Sequence, residues 1–139
     1  MDSCVTAASA IEFGYEPAFL HINYGQRTES RELIAFNEIA NHYHVDQKLV
    51  VNISHLAEIG GSCLTDESID VPNANLESVN IPNSYVPFRN ANILAAATSW
   101  AEVLGAKTIY IGAVEEDSSG YPDCRRSFFN AFEQTIKTG

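Results

Sequence analysis

The sequence predicts an α/β protein with a parallel, twisted sheet in a three-layer arrangement, on three observations. Helical and strand patterns alternate along the chain, the order that gives parallel strands joined by right-handed crossovers. The strand segments are short and rich in β-branched residues, which is typical of strands buried on both faces. A polar loop with two adjacent arginines, residues 115–126, follows the apolar run at 109–114. In open α/β sheets this is where the ligand binds.

Composition limits the chain to one globular domain. Its 139 residues are 45% apolar and 19% charged, enough for one core but not two. No apolar run approaches the roughly 18 residues of a membrane span, and no signal pattern opens the chain. The three cysteines stand about 60 residues apart without a paired spacing, so they predict neither disulfides nor a metal motif. We therefore expect reduced thiols in a cytoplasmic protein that binds no membrane.

The charge of the chain argues against nucleic-acid binding and favours a small anion. The formal net charge is -10, with only eight lysines and arginines, and such a field repels a phosphate backbone. Four of the five arginines lie in predicted loops or at helix starts; they are Arg27, Arg89, Arg125 and Arg126. Guanidinium groups gathered in this way favour a bound anion. The alternative is that they cap carbonyl groups or pair with local acids.

Residues 1–13 predict the first helix. Its apolar stripe includes Cys4 and Val5, and Gly14 is a natural stop after the last turn. Asp2 and Ser3 stand at its start, where side-chain oxygens can cap unpaired N–H groups. Because an α/β pattern rarely opens on a helix, we expect a strand before residue 1.

The next segments predict a strand, a helix and a second strand. Residues 17–23 alternate in apolar character, and residues 48–53 form another short apolar run. Between them, residues 28–43 have the period of an amphipathic helix, with Thr28 as a candidate N-cap. The predicted inward face of this helix consists of Leu33, Phe36, Ala40 and Tyr43.

Residues 54–87 show little periodicity beyond one possible helical turn at 55–59. An irregular segment of this length inside a compact domain is typical of a lid, an interface arm or a disordered segment. Its acidic residues are Asp66, Glu67, Asp70 and Glu77. Carboxylates spread in this way are more typical of a solvated surface than of a metal site, so no metal ligand is predicted in this chain.

The remaining chain predicts two helices and a third strand. The first helix begins at Phe88 or Arg89, runs to residue 104 before Gly105, and is apolar on two faces. One face would pack on the sheet, and the other needs a second subunit or a part of the chain not present here. Residues 108–112 predict the third strand, and residues 127–137 predict the last helix.

Three predicted loops meet at one edge if the strands are parallel, namely residues 24–27, 89–90 and 121–126. A helix N-terminus and two or three arginines at that edge would hold a polyanion such as a nucleotide phosphate. The chain contains neither GxGxxG nor GxxxxGK[ST]. Neither of these fingerprints therefore explains the site.

Several stretches resemble a known family. Residues 1–3 (Met-Asp-Ser) are similar to the end of SGGxDS, the PP-loop of the ATP pyrophosphatases. Five further stretches resemble the 7-cyano-7-deazaguanine synthases of queuosine biosynthesis: residues 24–27, 61–66, 85–90, 100–106 and 119–125. They occur in the family order across the whole chain, which makes the resemblance specific.

The resemblance implies a fold and an activity. The fold would be Rossmann-like, of the adenine nucleotide alpha-hydrolase type, with residues 1–139 as a single, partial PP-loop nucleotide-binding domain. The activity would be that of an ATP-dependent carbon–nitrogen ligase, which converts 7-carboxy-7-deazaguanine and ammonia to the nitrile through an adenylated carboxylate. ATP and Mg²⁺ are the implied cofactors, and a homodimer without a nucleic-acid partner is the implied assembly.

The resemblance also implies roles on the nucleotide side. Asp2 and Ser3 would belong to the ATP loop, with Ser3 at phosphate and Asp2 near the metal or phosphate. Arg89 and Asn90 would face phosphate or the activated carboxylate. The catalytic set would be Asp2, Ser3 and Arg89. The nucleotide would further contact Tyr24, Gly25, Gln26 and Arg27.

On the substrate side, the deazapurine would contact Tyr121, Asp123, Cys124 and Arg125. Asp123 is the implied acceptor for N–H groups on the guanine edge. Cys124 could be read as a nucleophile, but adenylation chemistry does not require one. We expect its thiol to line the substrate site or to be structural.

The chain departs from the family pattern at both ends. The SGG turn and its strand are missing upstream, and the segment with the family's four-cysteine zinc site is missing downstream, so Zn²⁺ is expected only there. In the related fold the missing strand lies between the strands at 17–23 and 108–112. We expect residues 1–139 alone neither to fold as a compact monomer nor to be active.

Two alternative functions stay open. Another PP-loop enzyme, such as an amide-forming ligase or a tRNA-modifying enzyme, would share the ATP half but not residues 85–90 and 119–125. A non-catalytic ATP-binding module would bind the nucleotide without consuming it.

Overall fold

The computed structural model describes residues 2–71, 81–113 and 120–139, which form an α/β arrangement. Its elements are α1 Asp2–Glu12, β1 Phe19–Asn23, α2 Glu29–His42, β2 Lys48–Asn52, α3 His55–Ile59, α4 Arg89–Leu104 and α5 Arg126–Thr138. A short 3₁₀ turn, Pro122–Cys124, precedes α5. The four predicted helices and the possible helical turn at 55–59 are all present, with ends within two residues of the predicted ones. Met1, Glu77 and the acidic start of the loop after residue 113 lie outside the described residues.

The sheet of the described residues consists of two parallel strands. Phe19 of β1 pairs with Lys48 of β2, and the register continues to Asn23 and Asn52. The amide of Ile53 extends the ladder by donating to the carbonyl of Asn23 at 2.7 Å. Parallel strands need a long crossover, which α2 supplies. The loops that follow β1 and β2 therefore leave the sheet at the same edge.

The predicted third strand, residues 108–112, does not form, and this expectation was wrong for the described chain. A strand is stabilised by a hydrogen-bonded neighbour, but β1 and β2 pair with each other and no other described strand lies beside this segment. The segment packs instead on α1 and the turn after it. A Cβ added to Gly112 would lie 3.0 Å from Thr6 Oγ1, and the Tyr110 ring meets Tyr15 edge to face at 5.6 Å.

Three helices end in the same hydrogen-bonded turn, in which the residue after the helix has a positive φ. Gly14 follows α1 with φ 82°, and Gly105 follows α4 with φ 67°, so both predicted stops are confirmed. After α2 the position belongs to His44, with φ 55°. The amides of His44 and Val45 donate to the carbonyls of Asn41 and Ala40, which completes the turn at a residue other than glycine.

The segment predicted to be irregular contains a packed turn as well as α3. Ser62 and Cys63 are fully buried. The amide of Cys63 donates to the carbonyl of Asn83 at 2.8 Å, and the amide of Asp66 donates to the carbonyl of Ser62 at 2.9 Å. Residues 62–66 are thereby fixed to the chain that leads into α4.

The apolar faces are only partly covered. Ala40 of α2 and Leu94 of α4 are buried, as their predicted stripes require. Cys4 and Val5, predicted to face inward on α1, are exposed. On α4, Val103 is 82% exposed, so the described chain leaves the apolar surface at the end of this helix uncovered. An apolar groove of about 270 Å³ between α4 and α5 includes Phe132 and Ile136 and none of the candidate site residues.

Candidate functional site

Two of the predicted loops meet at Arg89 and Tyr24. Arg89 is the first residue of α4, and Tyr24 follows the last residue of β1. Arg89 Nη1 donates to Tyr24 Oη at 3.3 Å, and its Cζ lies 5.3 Å from the centroid of the Tyr24 ring. A guanidinium over a phenol ring at this distance is a cation–π contact. The carboxyl end of β1 and the start of α4 therefore form one site.

The pKa of Tyr24 is raised above its usual value of 10.0, because burial of the phenol disfavours its charged form. The positive charge of Arg89 opposes this shift, and the carboxylate of Glu32 adds to it. Tyr121 also raises the Tyr24 pKa, so the third predicted loop lies near Tyr24. At neutral pH the Tyr24 hydroxyl is therefore protonated and can donate a hydrogen bond to a ligand.

Gln26 fixes the loop that carries Tyr24. Its side chain is buried, and its Oε1 accepts from the Tyr24 amide at 2.9 Å. Its Nε2 donates to Glu32 Oε2 at 3.0 Å and to the carbonyl of Ile22 at 3.4 Å. The Gln26 side chain thus links the end of β1 to the first turn of α2.

Gly25 lets this loop approach α3. Its φ of 81° favours glycine. A Cβ at this position would lie 2.6 Å from Cβ of Ala57, closer than two carbon atoms can pack. Gly25 is therefore required by close packing as well as by backbone conformation.

Arg27 binds backbone carbonyl groups. Its Nη2 donates to the carbonyl of Asp66 at 2.8 Å and to that of Ile69 at 3.1 Å. Its amide donates to the carbonyl of Leu64 at 3.1 Å. For this arginine the structure matches the alternative interpretation, in which a loop guanidinium caps carbonyls.

Asn90 and Asp123 join the start of α4 to the loop before α5. Asp123 Oδ2 accepts from the Asn90 amide at 2.8 Å. Asn90 Nδ2 donates to the carbonyl of Asp123 at 3.0 Å and contacts Cys124 Sγ at 3.3 Å. Asn90 and Asp123 are 4% and 3% exposed, so these hydrogen bonds are shielded from water. The second and third predicted loops are joined here.

Tyr121 lies beside a segment that sequence reasoning did not assign to the site. Its hydroxyl is 2.7 Å from Ser84 Oγ, and its ring stacks on Tyr85 at a centroid distance of 5.9 Å. A Cβ on Gly120 would lie 2.8 Å from Pro82 Cδ. Tyr85 could have been found, since it opens the stretch 85–90 that resembles the family. Ser84 carried no such signal.

The other predicted residues lie apart from this cluster. Asp2 and Ser3 are exposed on the first turn of α1, beside Gly112. Arg125 is exposed, and its carbonyl accepts from the amides of Phe128 and Phe129 at the start of α5. Among the described residues, no hydrogen bond or ion pair joins Asp2, Ser3 or Arg125 to Arg89. The described loops thus converge at Tyr24, Arg89 and Asp123 rather than at three arginines.

In residues 2–71, 81–113 and 120–139 there is no group of three or more histidine, cysteine or acidic side chains placed to hold a metal ion. None of the helices described is both long and apolar enough to cross a membrane.

The described residues form an α/β arrangement with a parallel strand pair, and polar loops gathered beyond the carboxyl ends of such strands are typical of α/β proteins that bind ligands at that edge. The sequence model of one family, described as queuosine biosynthesis protein QueC, matches residues 1–139. The chain belongs to the QueC family.

Curated relatives agree with this assignment. The chain is 60% identical over 139 residues to the 7-cyano-7-deazaguanine synthase of Chloroherpeton thalassium. It is 58% identical to that of Chlorobium phaeobacteroides and 59% identical to that of Chlorobium chlorochromatii, again over all 139 residues. The match covers 100% of this chain and 61–62% of those relatives. No solved structure matches the chain.

Proposed function

We infer that the full-length protein makes 7-cyano-7-deazaguanine from 7-carboxy-7-deazaguanine, ammonia and ATP, as its relatives are named for the same product. The observation that carries this proposal is the family match over the whole chain. The geometry supports it, because Arg89 makes one long hydrogen bond and no ion pair to described residues. A half-buried guanidinium with unused N–H donors and no acidic partner among the described residues can bind an anion.

The proposed fold of the full-length protein is the three-layer, Rossmann-like sheet of the adenine nucleotide alpha-hydrolase type, with residues 1–139 inside a single nucleotide-binding domain. The parallel pair β1–β2 with α2 as its crossover supports this proposal. β1 does not pair with residues 108–112 in the described chain. That result agrees with the proposed position of a further strand between them.

The proposed chemistry is two successive activations of one carbon. A carboxylate oxygen attacks the α-phosphorus of ATP, pyrophosphate leaves, and ammonia displaces AMP to give the amide. The amide oxygen then attacks the α-phosphorus of a second ATP and pyrophosphate leaves. The C–O bond breaks with release of AMP while the amide nitrogen gives up its two protons, which gives the nitrile. Each activation builds negative charge on phosphorus oxygens and on pyrophosphate, and fixed positive charges and N–H donors stabilise that charge.

The proposed roles follow from what each side chain already binds. Arg89 has donors to spare and would contact the phosphates or the activated carboxylate. The Tyr24 hydroxyl, which is protonated at neutral pH, would donate beside it. Asp2 and Ser3 are exposed at a helix start and would contact the ATP phosphates. Tyr121 would lie against the deazapurine, together with Cys124 and Arg125, whereas the Asp123 carboxylate is already bound to the Asn90 amide. Gly25, Gln26, Arg27 and Asn90 would shape the nucleotide side through the contacts described above.

The proposed cofactors are ATP and Mg²⁺. Exposed carboxylate and hydroxyl oxygens on Asp2 and Ser3 suit Mg²⁺, which prefers oxygen ligands and is commonly bound by one or two carboxylates with substrate phosphates. Asp2 would lie near the ion or the phosphates, and the ion would neutralise phosphate charge. Zn²⁺ is proposed only for a segment that this chain does not include. A cytoplasmic homodimer without nucleic-acid or membrane partners completes the proposal.

The test is product analysis with the full-length protein. Incubation with ATP, ammonium and 7-carboxy-7-deazaguanine should release AMP and pyrophosphate and yield the nitrile, and omission of the carboxylic acid should abolish AMP release. Nucleotide binding without AMP release would indicate a non-catalytic module. AMP release with a different acceptor would indicate another PP-loop enzyme.

A further inference from the structure

Asp123 and Asn90 hold each other through both side chain and backbone. The Asp123 carboxylate accepts from the Asn90 amide, and the Asn90 side-chain amide donates back to the Asp123 carbonyl. Both residues are at least 96% buried. A carboxylate that accepts a first-turn N–H is the usual way to cap a helix start. Here the cap comes from a residue 33 positions away in sequence, so it joins two separate loops.

The backbone before this cap has an unusual conformation. Phe88, which precedes Arg89, has φ 57° and ψ 26°, a left-handed conformation that a bulky residue rarely adopts. Such strain persists only where the surroundings hold it in place. The Phe88 amide donates to Tyr85 Oη at 3.0 Å, the Arg89 amide donates to the carbonyl of Val86 at 3.2 Å, and the Asn90 amide donates to Asp123. Arg89 therefore projects from a strained turn that is fixed on both sides.

We propose that Asp123 is a positioning residue that acts through Arg89. By capping α4 it fixes the backbone from which Arg89 reaches Tyr24, and it ties residues 121–124 to that point. The Asp123 oxygen that meets Asn90 is then used within the protein rather than for the substrate. The turnover tests of this proposal rest on the proposed function, whereas the test by hydrogen exchange and the Arg89 resonance does not.

The first test compares Asp123→Asn with Asp123→Ala in the full-length protein. The asparagine oxygen can still accept from the Asn90 amide, so turnover should stay within about threefold of the wild type, as asparagine caps helices as well as aspartate does. Alanine removes the acceptor, and misplacement of Arg89 should lower kcat by at least about tenfold, since small shifts of a catalytic group have large effects. If the carboxylate bound the substrate directly, asparagine would be as damaging as alanine. Equal losses of turnover in the two variants, with hydrogen exchange of the Asn90 amide unchanged in Asp123→Asn, would overturn the proposal.

The second test is a double-mutant cycle with Arg89→Ala. If Asp123 acts through Arg89, Asp123→Ala should cause no further loss of turnover once Arg89 is alanine. Independent, multiplicative losses would contradict the proposal. Asp46→Ala is the matched control, because Asp46 is exposed and outside the site. Its turnover should equal that of the wild type.

The third test needs no activity. Hydrogen exchange of the Asn90 amide should be slow in the wild type and in Asp123→Asn, and at least about tenfold faster in Asp123→Ala, because a buried amide is protected by its hydrogen bond. The Arg89 Nε resonance should shift in Asp123→Ala alone. If the exchange rate of the Asn90 amide and the Arg89 Nε resonance both stay unchanged in Asp123→Ala, the proposal is wrong. This outcome does not depend on whether the full-length protein releases AMP. If Asp123→Ala does not fold, the comparison of Asp123→Asn with the wild type decides by turnover.

Discussion

At the scale of single residues, two arginines bind different groups because the chain around each of them offers different hydrogen-bond partners. Arg27 has carbonyl groups on two sides and binds them, whereas Arg89 has a phenol ring and one long hydrogen bond. The sequence predicted Arg27 in a loop after a strand and Arg89 at the start of a helix. It could not show that residues 64–69 fold back onto Arg27, because that contact joins positions about 40 apart through an irregular segment.

The two arginines should respond differently to truncation. Arg89→Ala should lower ATP-dependent turnover by tenfold or more, because a guanidinium that stabilises phosphate charge contributes about 2–4 kcal/mol to the transition state. Its effect on unfolding should be small, since it donates one long hydrogen bond. Turnover assays and thermal unfolding of the full-length protein measure the two quantities. Unchanged turnover in Arg89→Ala would remove Arg89 from the proposed mechanism.

Arg27→Ala is the counterpart to that variant. It removes two hydrogen bonds from a charged donor to carbonyls, so we expect the free energy of unfolding to fall by about 1–3 kcal/mol. Arg27→Lys should recover part of the loss, because an ammonium can reach one carbonyl but lacks the planar fork of donors. Denaturant titration checks both variants. Stability equal to the wild type in Arg27→Ala would show that these contacts do not hold residues 64–69.

Tyr24 gives a prediction for pH. Its folded-state pKa lies above its usual 10.0 because burial favours the neutral phenol. Below its usual pKa, the phenol is protonated in both the folded and the unfolded state, so the contribution of Tyr24 to stability is fully present. As pH rises through the folded pKa, the unfolded state loses its proton first and this contribution is lost. Relative to Tyr24→Phe, the wild type should therefore become less stable above about pH 10. Parallel unfolding curves of the two proteins across this range would contradict the shift.

At the scale of elements, the helices were predictable and the third strand was not. The helix period, the glycine stops and the cap positions are local signals, and they gave α1, α2, α4 and α5 with nearly the observed ends. A strand also needs a neighbour, which no local pattern shows. Residues 108–112 have strand composition but pack on α1. The apolar stripe of α1 was also misread, since composition does not tell which face of a helix is covered.

The contact between the Tyr24 loop and α3 can be tested with two glycines. Gly25 and Gly60 have similar φ values, 81° and 76°, but a Cβ on Gly25 would meet Ala57 at 2.6 Å, whereas a Cβ on Gly60 would meet nothing within 4 Å. Gly60→Ala should cost about 1–3 kcal/mol of unfolding free energy for its backbone alone, because φ 76° with ψ -161° lies in a region essentially restricted to glycine. Gly25→Ala should cost about 1–3 kcal/mol more because it overpacks the contact with α3.

Ala57→Gly provides the control for that comparison. Combined with Gly25→Ala it removes the Cβ that would be struck, so the double variant should recover most of the difference between Gly25→Ala and Gly60→Ala. Denaturant unfolding of the single and double variants gives the coupling. Equal losses in Gly25→Ala and Gly60→Ala, without rescue, would show that the loop does not rest on α3.

At the scale of the whole molecule, the described chain leaves apolar surface exposed at the end of α4, where Val103 and Leu104 lie. Sequence reasoning predicted two apolar faces on this helix, one of which would need a partner. The partner itself could not be predicted, because an apolar face shows that something covers it but not what.

The proposed homodimer provides a test of that face. Val103 is 82% exposed on α4, and Ile34 is 60% exposed on α2, so the two offer a matched pair of exposed apolar residues on different helices. In sedimentation of the full-length protein, the wild type and Ile34→Asp should be dimers. Val103→Asp should shift the species to monomer, since a carboxylate at the core of an interface must lose its hydration without a partner. The shift should be reversed by raising the protein concentration, because association is governed by mass action. A monomeric wild type would contradict the dimer. A loss of stability in Val103→Asp that does not depend on concentration would show that this face is covered within one subunit.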